Sequence, residues 1–301
     1  MTDLRLDGEV AVITGAGGNP GLGRSYALLL ASRGAKVVVN DLGVGPDGRN
    51  RRAASAELVV QEILAQGGEA IADQHSVAEE DSARAVVQTA LDAWGKVDIL
   101  VNNAGVAILA EFDEISAADI EKVLRVHLFG TIWMCRAAWP HMVESGGGRI
   151  INITSGALAG NRYVSIYGAA KGGIVSLTRA LAIEGADVGI KANAVGPAGE
   201  TGALQLLSNM QNPPPELVAP LIAVLAHPDC SASGRYFESA AGRTVLRCWS
   251  ESRGYINPEL TPEDLRDHLD EVMDMTDHVL VADPLENEYS NIIDRKPYQP
   301  A

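Results

Sequence analysis

Short apolar runs alternate along the chain with longer stretches in which apolar residues recur every three or four positions. The short runs are rich in β-branched residues, which is typical of strands that are covered on both faces. They predict strands at 9–14, 35–40, 69–73, 97–101, 149–154, 190–195 and 235–239. The longer stretches predict helices at 22–33, 52–66, 79–94, 116–144 and 162–185.

This alternation of strand and helix predicts an α/β fold with a doubly wound parallel sheet flanked by helices. Gly34 and Gly67 follow predicted helices at positions where C-terminal glycines are common. The segment 198–216 is rich in Gly and ends in three prolines. It is interpreted either as a mobile lid over a site or as a plain surface connection.

The charge is concentrated near the C-terminus. Residues 251–301 carry 13 acidic and four basic side chains. Within them Thr261 and Pro262 start one predicted amphipathic helix, whose apolar positions are Leu265, Leu269, Val272 and Met273. The sequence therefore predicts a main domain over 1–250 and an acidic C-terminal extension over 251–301.

Composition narrows the classes of function. A net charge of −15 over 301 residues argues against binding to nucleic acid or to anionic membranes, which both require basic patches. The three cysteines show no metal-ligand spacing, so no metal site is expected. No uncharged apolar run is long enough to span a membrane, and no apolar signal region stands at the N-terminus. We expect a soluble cytoplasmic protein.

The stretch "TGAGGNPGLGR", 14–24, lies between the first strand and the first helix. A glycine loop at this place lets the backbone approach a dinucleotide pyrophosphate at a helix N-terminus. Asp41 follows the second strand, where a carboxylate can accept the ribose hydroxyls of NAD and would repel the 2′-phosphate of NADP. The alternative interpretation is that Asp41 only opens a turn.

Four motifs in order identify the family that the chain resembles. They are the loop with Thr14, Gly15, Gly21 and Gly23, "NNAG" at 102–105, a serine after "INIT", and "YGAAK" at 167–171. Together they resemble the short-chain dehydrogenase/reductase family over roughly 8–200, with two extra residues in the glycine loop. The stretches "LRVHLFG" and "HPDCSASGRYFESAAG" are similar to the (3R)-hydroxyacyl-CoA dehydrogenase units of multifunctional enzymes.

The resemblance implies a Rossmann-type fold, an NAD cofactor and a set of site residues. The implied catalytic residues are Ser155, Tyr167 and Lys171, with His127 as a further relay member where many relatives have asparagine. The implied cofactor-binding residues are Gly15, Gly21, Leu22, Gly23, Asp41, Ser76, Val77, Asn103, Tyr167, Lys171 and Pro197. The long helices at 116–144 and 162–185 resemble those that pair subunits, which implies a homo-oligomer, either a tetramer or a dimer.

Tyr167 and Lys171 share one face of a helix because they are four residues apart. A free tyrosine has a pKa of ~10, and a neighbouring ammonium group would favour its phenolate. Tyr167 could then accept the proton of a substrate hydroxyl as hydride leaves for NAD. The position of the hydroxyl partner is ambiguous, since the family spacing of 13 residues indicates Thr154 whereas the end of the strand indicates Ser155.

The chain is therefore interpreted as an NAD-dependent oxidoreductase that interconverts a secondary alcohol and a ketone, on a 3-hydroxyacyl-CoA or a steroid. The alternatives are an NADP-linked carbonyl reductase of small ketones and a non-catalytic dinucleotide-binding scaffold. Side chains that could contact a large substrate are Leu204, Leu206, Leu207 and Met210, and Arg49, Arg51 and Arg52 could meet coenzyme A phosphates.

Overall fold

The computed structural model describes residues 3–45, 55–201 and 212–280. Each of the seven predicted strands is present, and β6 continues past its predicted end at 195. The strands of the described ranges are β1 (Val10–Thr14), β2 (Lys36–Asn40), β3 (Glu69–Asp73), β4 (Ile99–Asn102), β5 (Gly148–Ile153), β6 (Ile190–Ala198), β7 (Tyr236–Ala240), β8 (Arg243–Arg247), β9 (Ser250–Glu251) and β10 (Val279–Leu280).

The α-helices of the described ranges follow the predicted pattern in the first two thirds of the chain. They are α1 (Leu22–Ser32), α2 (Ser55–Ala65), α3 (Glu80–Trp94), α4 (Ala117–Leu124), α5 (Gly130–Glu144), α6 (Ser165–Glu184), α7 (Ala219–Ala226), α8 (Pro262–Asp267) and α9 (Leu269–Met273). Short 3-10 turns lie at Gly156–Ala159, Ala186–Val188 and Pro215–Leu217.

Eight strands form one sheet in the order β3-β2-β1-β4-β5-β6-β7-β8. The neighbours from β3 to β7 pair in parallel; Val12, for example, lies opposite Val38 on one side and Leu100 on the other. The strand order reverses between β1 and β4. Ligands of doubly wound sheets bind above the carboxyl ends of the strands at such a point, so this edge is where a site is expected.

Both faces of the sheet are covered by helices, which explains why the strands are apolar almost throughout. Alternate residues of β1 face opposite layers. Ile13 packs with Leu30 of α1 in one core cluster, whereas Val12 packs with Met134 of α5 in the other. All four side chains are fully buried. The sheet is thus fixed from both sides, and its carboxyl edge becomes a rigid support for the loops.

The predicted helix 116–144 contains a change of helical type. A π-helical segment, Arg125–Phe129, lies between α4 and α5. Ser116 caps α4, because its Oγ accepts the Asp119 N–H at 3.1 Å. Single π-turns inside α-helices often occur at functional sites, and this one holds His127.

Contacts between Cα atoms divide the chain into two units, Met1–Leu246 and Arg247–Ala301. The sequence-based boundary at residue 250 stays a prediction. The described part of the second unit contains a two-stranded antiparallel sheet of β9 and β10 together with α8 and α9. None of the helices in the described ranges is both long and apolar enough to cross a bilayer.

The prediction of one amphipathic helix after Thr261 was wrong, although the Thr261 cap is confirmed by its hydrogen bond from Asp264 N–H at 3.1 Å. The helix is interrupted at His268. The His268 ring stacks on Tyr255 with centroids 4.1 Å apart, and its Nδ1 lies 2.8 Å from the Asp264 carbonyl oxygen. A side chain that competes for a helical carbonyl favours an early helix end.

Candidate active site

The loop between β1 and α1 has a shape that only glycine permits at three positions. At Gly15 φ is 64°, and an added Cβ would lie 2.7 Å from the Cα of Ala104. An added Cβ at Gly21 would lie 2.4 Å from the carbonyl oxygen of Gly18, and one at Gly23 would lie 2.5 Å from the carbonyl oxygen of Gly15. The backbone therefore folds tightly onto itself just ahead of α1.

Asn103 holds this loop against the loop after β4. Its Nδ2 donates to the carbonyl oxygens of Thr14 and Gly15, at 2.9 Å each. The Thr14 hydroxyl oxygen in turn accepts the N–H groups of Asn103 and Ala104, at 3.0 Å each. Two motifs that are far apart in the sequence are thereby joined at the point where the strand order reverses.

The carboxylate of Asp41 is turned toward the glycine loop. Its Oδ2 accepts the Gly17 N–H at 2.8 Å, while its Oδ1 accepts the Gly43 N–H at 2.8 Å and the Ser55 hydroxyl at 3.0 Å. The bond to Gly43 shows that Asp41 also opens a turn. A carboxylate has about four acceptor positions, so with respect to the described residues one on Oδ2 is left for a ribose hydroxyl.

The remaining predicted cofactor residues also lie at the carboxyl edge. Ser76 and Val77 follow β3. Val77 packs closely against Gly130, since a Cβ added to Gly130 would lie 2.9 Å from the Cγ2 of Val77. Pro197 is near the end of β6. Leu22 starts α1, and its Cδ2 lies 3.2 Å from the position of a Cβ on Gly199. The structure thus places all of these residues on one edge of the sheet.

The two hydroxyl candidates after β5 have different environments. Ser155 lies close enough to the Tyr167 phenol for its hydroxyl to lower the pKa of Tyr167, and its Oγ accepts the Ala157 N–H at 3.2 Å. Thr154 is buried, and its hydroxyl donates to the carbonyl oxygen of Lys171 at 2.8 Å. The geometry therefore favours Ser155 as the partner of Tyr167, while Thr154 fixes the helix to the strand.

Lys171 does not lie where the sequence argument assumed. Its Nζ donates to the Ile153 carbonyl oxygen at 2.6 Å and lies 5.5 Å from the centroid of the Tyr167 ring. Burial lowers the pKa of Lys171 to about 7. Burial also raises the pKa of Tyr167, an effect only partly offset by the neighbouring Ser155 hydroxyl. In the protein alone the pKa of Tyr167 therefore lies above its ordinary value, because desolvation opposes the charged forms of both Tyr167 and Lys171.

His127 is buried and packs edge-on against Tyr167, with ring centroids 5.0 Å apart and planes at 87°. Its Nε2 lies 2.8 Å from the Val106 carbonyl oxygen, and burial, with the Lys171 charge next in size, lowers the pKa of His127 to about 3. Its Nδ1 has no hydrogen-bond partner among the described residues. Gly105 makes room for the ring, since a Cβ there would lie 2.5 Å from Cε1.

Sequence reasoning missed two residues of the site. Gly17 lies between the first two family glycines of the loop, ahead of the bulge with Asn19 and Pro20, and a Cβ there would lie 2.8 Å from the Cγ of Asp41. The glycine-rich stretch around Gly17 could have indicated that this residue belongs to the site. Nothing in the sequence around Ser55 indicated that it would contact Asp41. The predicted substrate and phosphate contacts lie outside the described residues: Leu204, Leu206, Leu207, Met210, Arg49, Arg51 and Arg52.

This arrangement fits a nicotinamide dinucleotide. Gly21 is the cap residue of α1 and has no side chain with which to cap the first turn, so the N–H groups there suit a bound phosphate. Because Gly15 and Gly21 have no side chains, the loop leaves a space that side chains at these positions would fill. Asp41 lies beside the loop with an acceptor position for a sugar hydroxyl, and Tyr167 and Lys171 lie in the N-terminal part of α6.

Comparison with known proteins gives a consistent result. The model of the family described as short chain dehydrogenase matches residues 9–210. The peroxisomal multifunctional enzyme type 2 of Mus musculus is 41% identical over 281 residues, which are 91% of the chain and 38% of that enzyme. The chain thus spans little more than a third of the length of this relative.

Solved structures with the same architecture include a short chain dehydrogenase from Mycobacterium avium. It is 35% identical, has a TM-score of 0.77, and is matched over 90% of the present chain and 96% of its own. A 7α-hydroxysteroid dehydrogenase in complex with NADH and 7-oxo glycochenodeoxycholic acid is 31% identical, with a TM-score of 0.73 and coverage of 80% and 98%. A peroxisomal multifunctional enzyme and a hydroxysteroid dehydrogenase are thus both similar to this chain.

Proposed function

Because the chain belongs to the short-chain dehydrogenase family, whose oxidoreductases act on hydroxyl or keto groups with a nicotinamide dinucleotide, we propose that it interconverts a secondary alcohol and a ketone with NAD. The observation that carries the proposal is the grouping of Ser155, Tyr167 and the buried Lys171, whose Nζ lies 5.5 Å from the centroid of the Tyr167 ring. A scaffold that only binds the cofactor has no use for a proton-transfer group at this place.

The residues divide the chemistry among them. Bound NAD would accept a hydride from the alcohol carbon. Ser155 holds the substrate oxygen in place, and Tyr167 accepts the hydroxyl proton in the oxidation or donates it in the reduction. Lys171 orients the sugar next to the nicotinamide and favours the phenolate by its charge. His127 stays neutral and supports the ring of Tyr167 from the side.

The same edge of the sheet would hold the cofactor. The pyrophosphate is assigned to the N–H groups around Gly15, Gly21 and Gly23, and one ribose hydroxyl to the free position on Asp41. The negative charge of Asp41 disfavours a 2′-phosphate, which supports NAD over NADP. Ser76, Val77, Asn103 and Pro197 complete the proposed cofactor contacts.

We propose a 3-hydroxyacyl-CoA or a steroid as the substrate class. The likeness to the mouse enzyme extends over 91% of the chain, well beyond the cofactor motifs, and the 7α-hydroxysteroid dehydrogenase is a structural neighbour. The segment 198–216 is held at its two ends, because Glu200 N–H donates to the Pro213 carbonyl oxygen at 2.8 Å. Such a segment could close over a large apolar group.

A kinetic panel tests the proposal. Purified protein is assayed with NAD and with NADP on (3R)-hydroxyacyl-CoA esters of several lengths, steroid alcohols and 2-butanol. We expect the highest kcat/KM with NAD and a large substrate, and almost none in Tyr167→Phe, which should still bind NAD in a titration. A preference for 2-butanol would contradict the substrate class, and more than about a tenth of the activity in Tyr167→Phe would contradict the mechanism.

Two further expectations remain predictions. We propose a homo-oligomer, either a dimer or a tetramer, because the helices predicted at 116–144 and 162–185 resemble those that pair subunits in the family. They correspond to the α4–α5 region and to α6. The cytoplasmic location is also a prediction, and the mouse relative is named as a peroxisomal enzyme.

A further inference from the structure

Two loops at the carboxyl edge of the sheet are fastened to each other next to the proposed catalytic tyrosine. One loop follows β4 and the other follows β5. The Ala110 N–H donates to the carbonyl oxygen of Tyr163 at 3.1 Å, and Arg162 Nε donates to Glu111 Oε1 at 3.2 Å. Tyr163 is four residues ahead of Tyr167. The joined loops therefore stand immediately before the first turn of α6.

The backbone of Tyr163 is held in an unfavourable conformation. Its φ is 69°, in the left-handed region where a side chain is strained. Among the described residues, the other non-glycine residue with positive φ is Ala241, which lies in the tight turn between β7 and β8. A glycine at 163 would adopt the same backbone without strain. Strained residues cluster at ligand-binding sites. The strain at Tyr163 therefore indicates that its side chain has a role that a glycine could not fill.

The two joined loops carry three exposed side chains with large apolar surfaces, Tyr163, Leu109 and Phe112, which together are called the apolar rim. Tyr163 is 45% exposed, and Leu109 and Phe112 on the other loop are 42% and 73% exposed. The Arg162 guanidinium lies 4.8 Å from the centroid of the Tyr163 ring and so covers one ring face. Because Arg162 is paired with Glu111, the rim offers apolar surface rather than a free positive charge.

We propose that Tyr163, Leu109 and Phe112 bind the apolar part of the substrate that extends away from the reacting carbon. The occupant is an acyl chain or the face of a steroid, recognised by contact area and not by its anionic groups. This inference rests on the proposed function and gives Tyr163 the role of a specificity-determining residue. The bonds to Ala110 and between Arg162 and Glu111 keep the rim in place while substrates exchange.

Because glycine adopts a positive φ without strain, a glycine variant can remove the side chain at position 163 and keep the backbone conformation. Tyr163→Gly removes the ring and relieves the positive φ, and Ala241→Gly is the matched control, since it relieves the other positive φ far along the chain. We expect Tyr163→Gly to lower the ratio of kcat/KM for long over short substrates by about tenfold, the effect of leaving about two methylene groups uncovered. The loss should appear mainly in KM. Ala241→Gly and Tyr163→Phe should keep the wild-type ratio.

Several results would overturn the inference separately from the proposed function. An unchanged ratio in Tyr163→Gly, with NAD affinity and circular dichroism as in the wild type, would remove the rim as a subsite. A change in molecular mass in Tyr163→Gly would show that the rim binds a second copy of the chain instead. If the wild type turned over no member of the panel, the proposed function would fail first, and the inference would fail with it.

Discussion

Thr154 and Ser155 are adjacent residues with hydroxyl side chains. They have different roles because their side chains point toward different partners. The Ser155 hydroxyl acts on the Tyr167 phenol and lowers its pKa, whereas Thr154 donates to the backbone of Lys171. We expect Ser155→Ala to lower kcat by about 10²–10⁴-fold. Thr154→Val should keep most of the rate but lose about 1 kcal/mol of stability, the net value of a buried hydrogen bond. Kinetics and thermal unfolding of both variants check this, and the reverse pattern would contradict it.

Asp41 should decide the choice of cofactor. We expect the wild type to bind NAD more tightly than NADP, and Asp41→Ala to gain about tenfold in NADP affinity as roughly 1.4 kcal/mol of repulsion is removed. Ser55→Ala is the matched control, because it removes a donor to the same carboxylate and keeps the charge. Titrations of both cofactors measure the effect. Equal affinity of the wild type for NAD and NADP would contradict the assignment.

The raised pKa of Tyr167 determines the direction of the pH dependence. Oxidation needs the phenolate, so its kcat/KM should rise from about pH 6 to about pH 9, while reduction, which needs the phenol, should not rise. The rise should become less steep above the Lys171 pKa of about 7, because the positive charge that favours the phenolate is lost there. His127, with a pKa of about 3, stays neutral over this range and adds no inflection. A step between about pH 6 and 7 that disappears in His127→Asn would show that this histidine titrates.

Among the elements, the glycine loop offers the sharpest comparison. Gly21→Ala places a Cβ 2.4 Å from the Gly18 carbonyl oxygen, whereas at Gly18 the nearest atom to a new Cβ is 3.7 Å away. We expect Gly21→Ala to cost about 1–3 kcal/mol, as overpacking does, and to weaken NAD binding. Gly18→Ala should leave the stability unchanged or slightly raised. Equal melting temperatures for the two variants would contradict this account of the loop.

Elements also differ in how well the sequence predicts them. The strands β1, β2, β4, β5 and β6 were predicted because most of their residues are buried and most are apolar. The strand β8 was missed, since every residue of Arg243–Arg247 except Val245 is exposed and the pairing with β7 arises from a tight turn. The break at His268 was missed because a stacked ring, and not a glycine or proline, ends α8.

For the whole molecule, the testable property is the oligomeric state. On the α5 side of the sheet, Phe129 is 42% exposed and stacks on Trp133 with centroids 6.0 Å apart. A mass of two or four times the 31.7 kDa chain is expected by light scattering, and Phe129→Asp should lower it. Leu64→Asp, at an exposed position of α2 beyond the opposite face of the sheet, should not. A wild type of 31.7 kDa at all concentrations would contradict the prediction.

The sequence by itself determined the family, the alternation of strands and helices, and the spacing of Tyr167 and Lys171 on one helical face. These properties are local, because they depend on hydrophobic period and on residues a few positions apart. Only the tertiary structure decided which hydroxyl faces Tyr167, that Ser55 bonds to Asp41, and that Tyr163 is strained beside Glu111. Each of these depends on loops that are distant in sequence and brought together by the sheet, and burial there reversed the pKa direction expected for Tyr167.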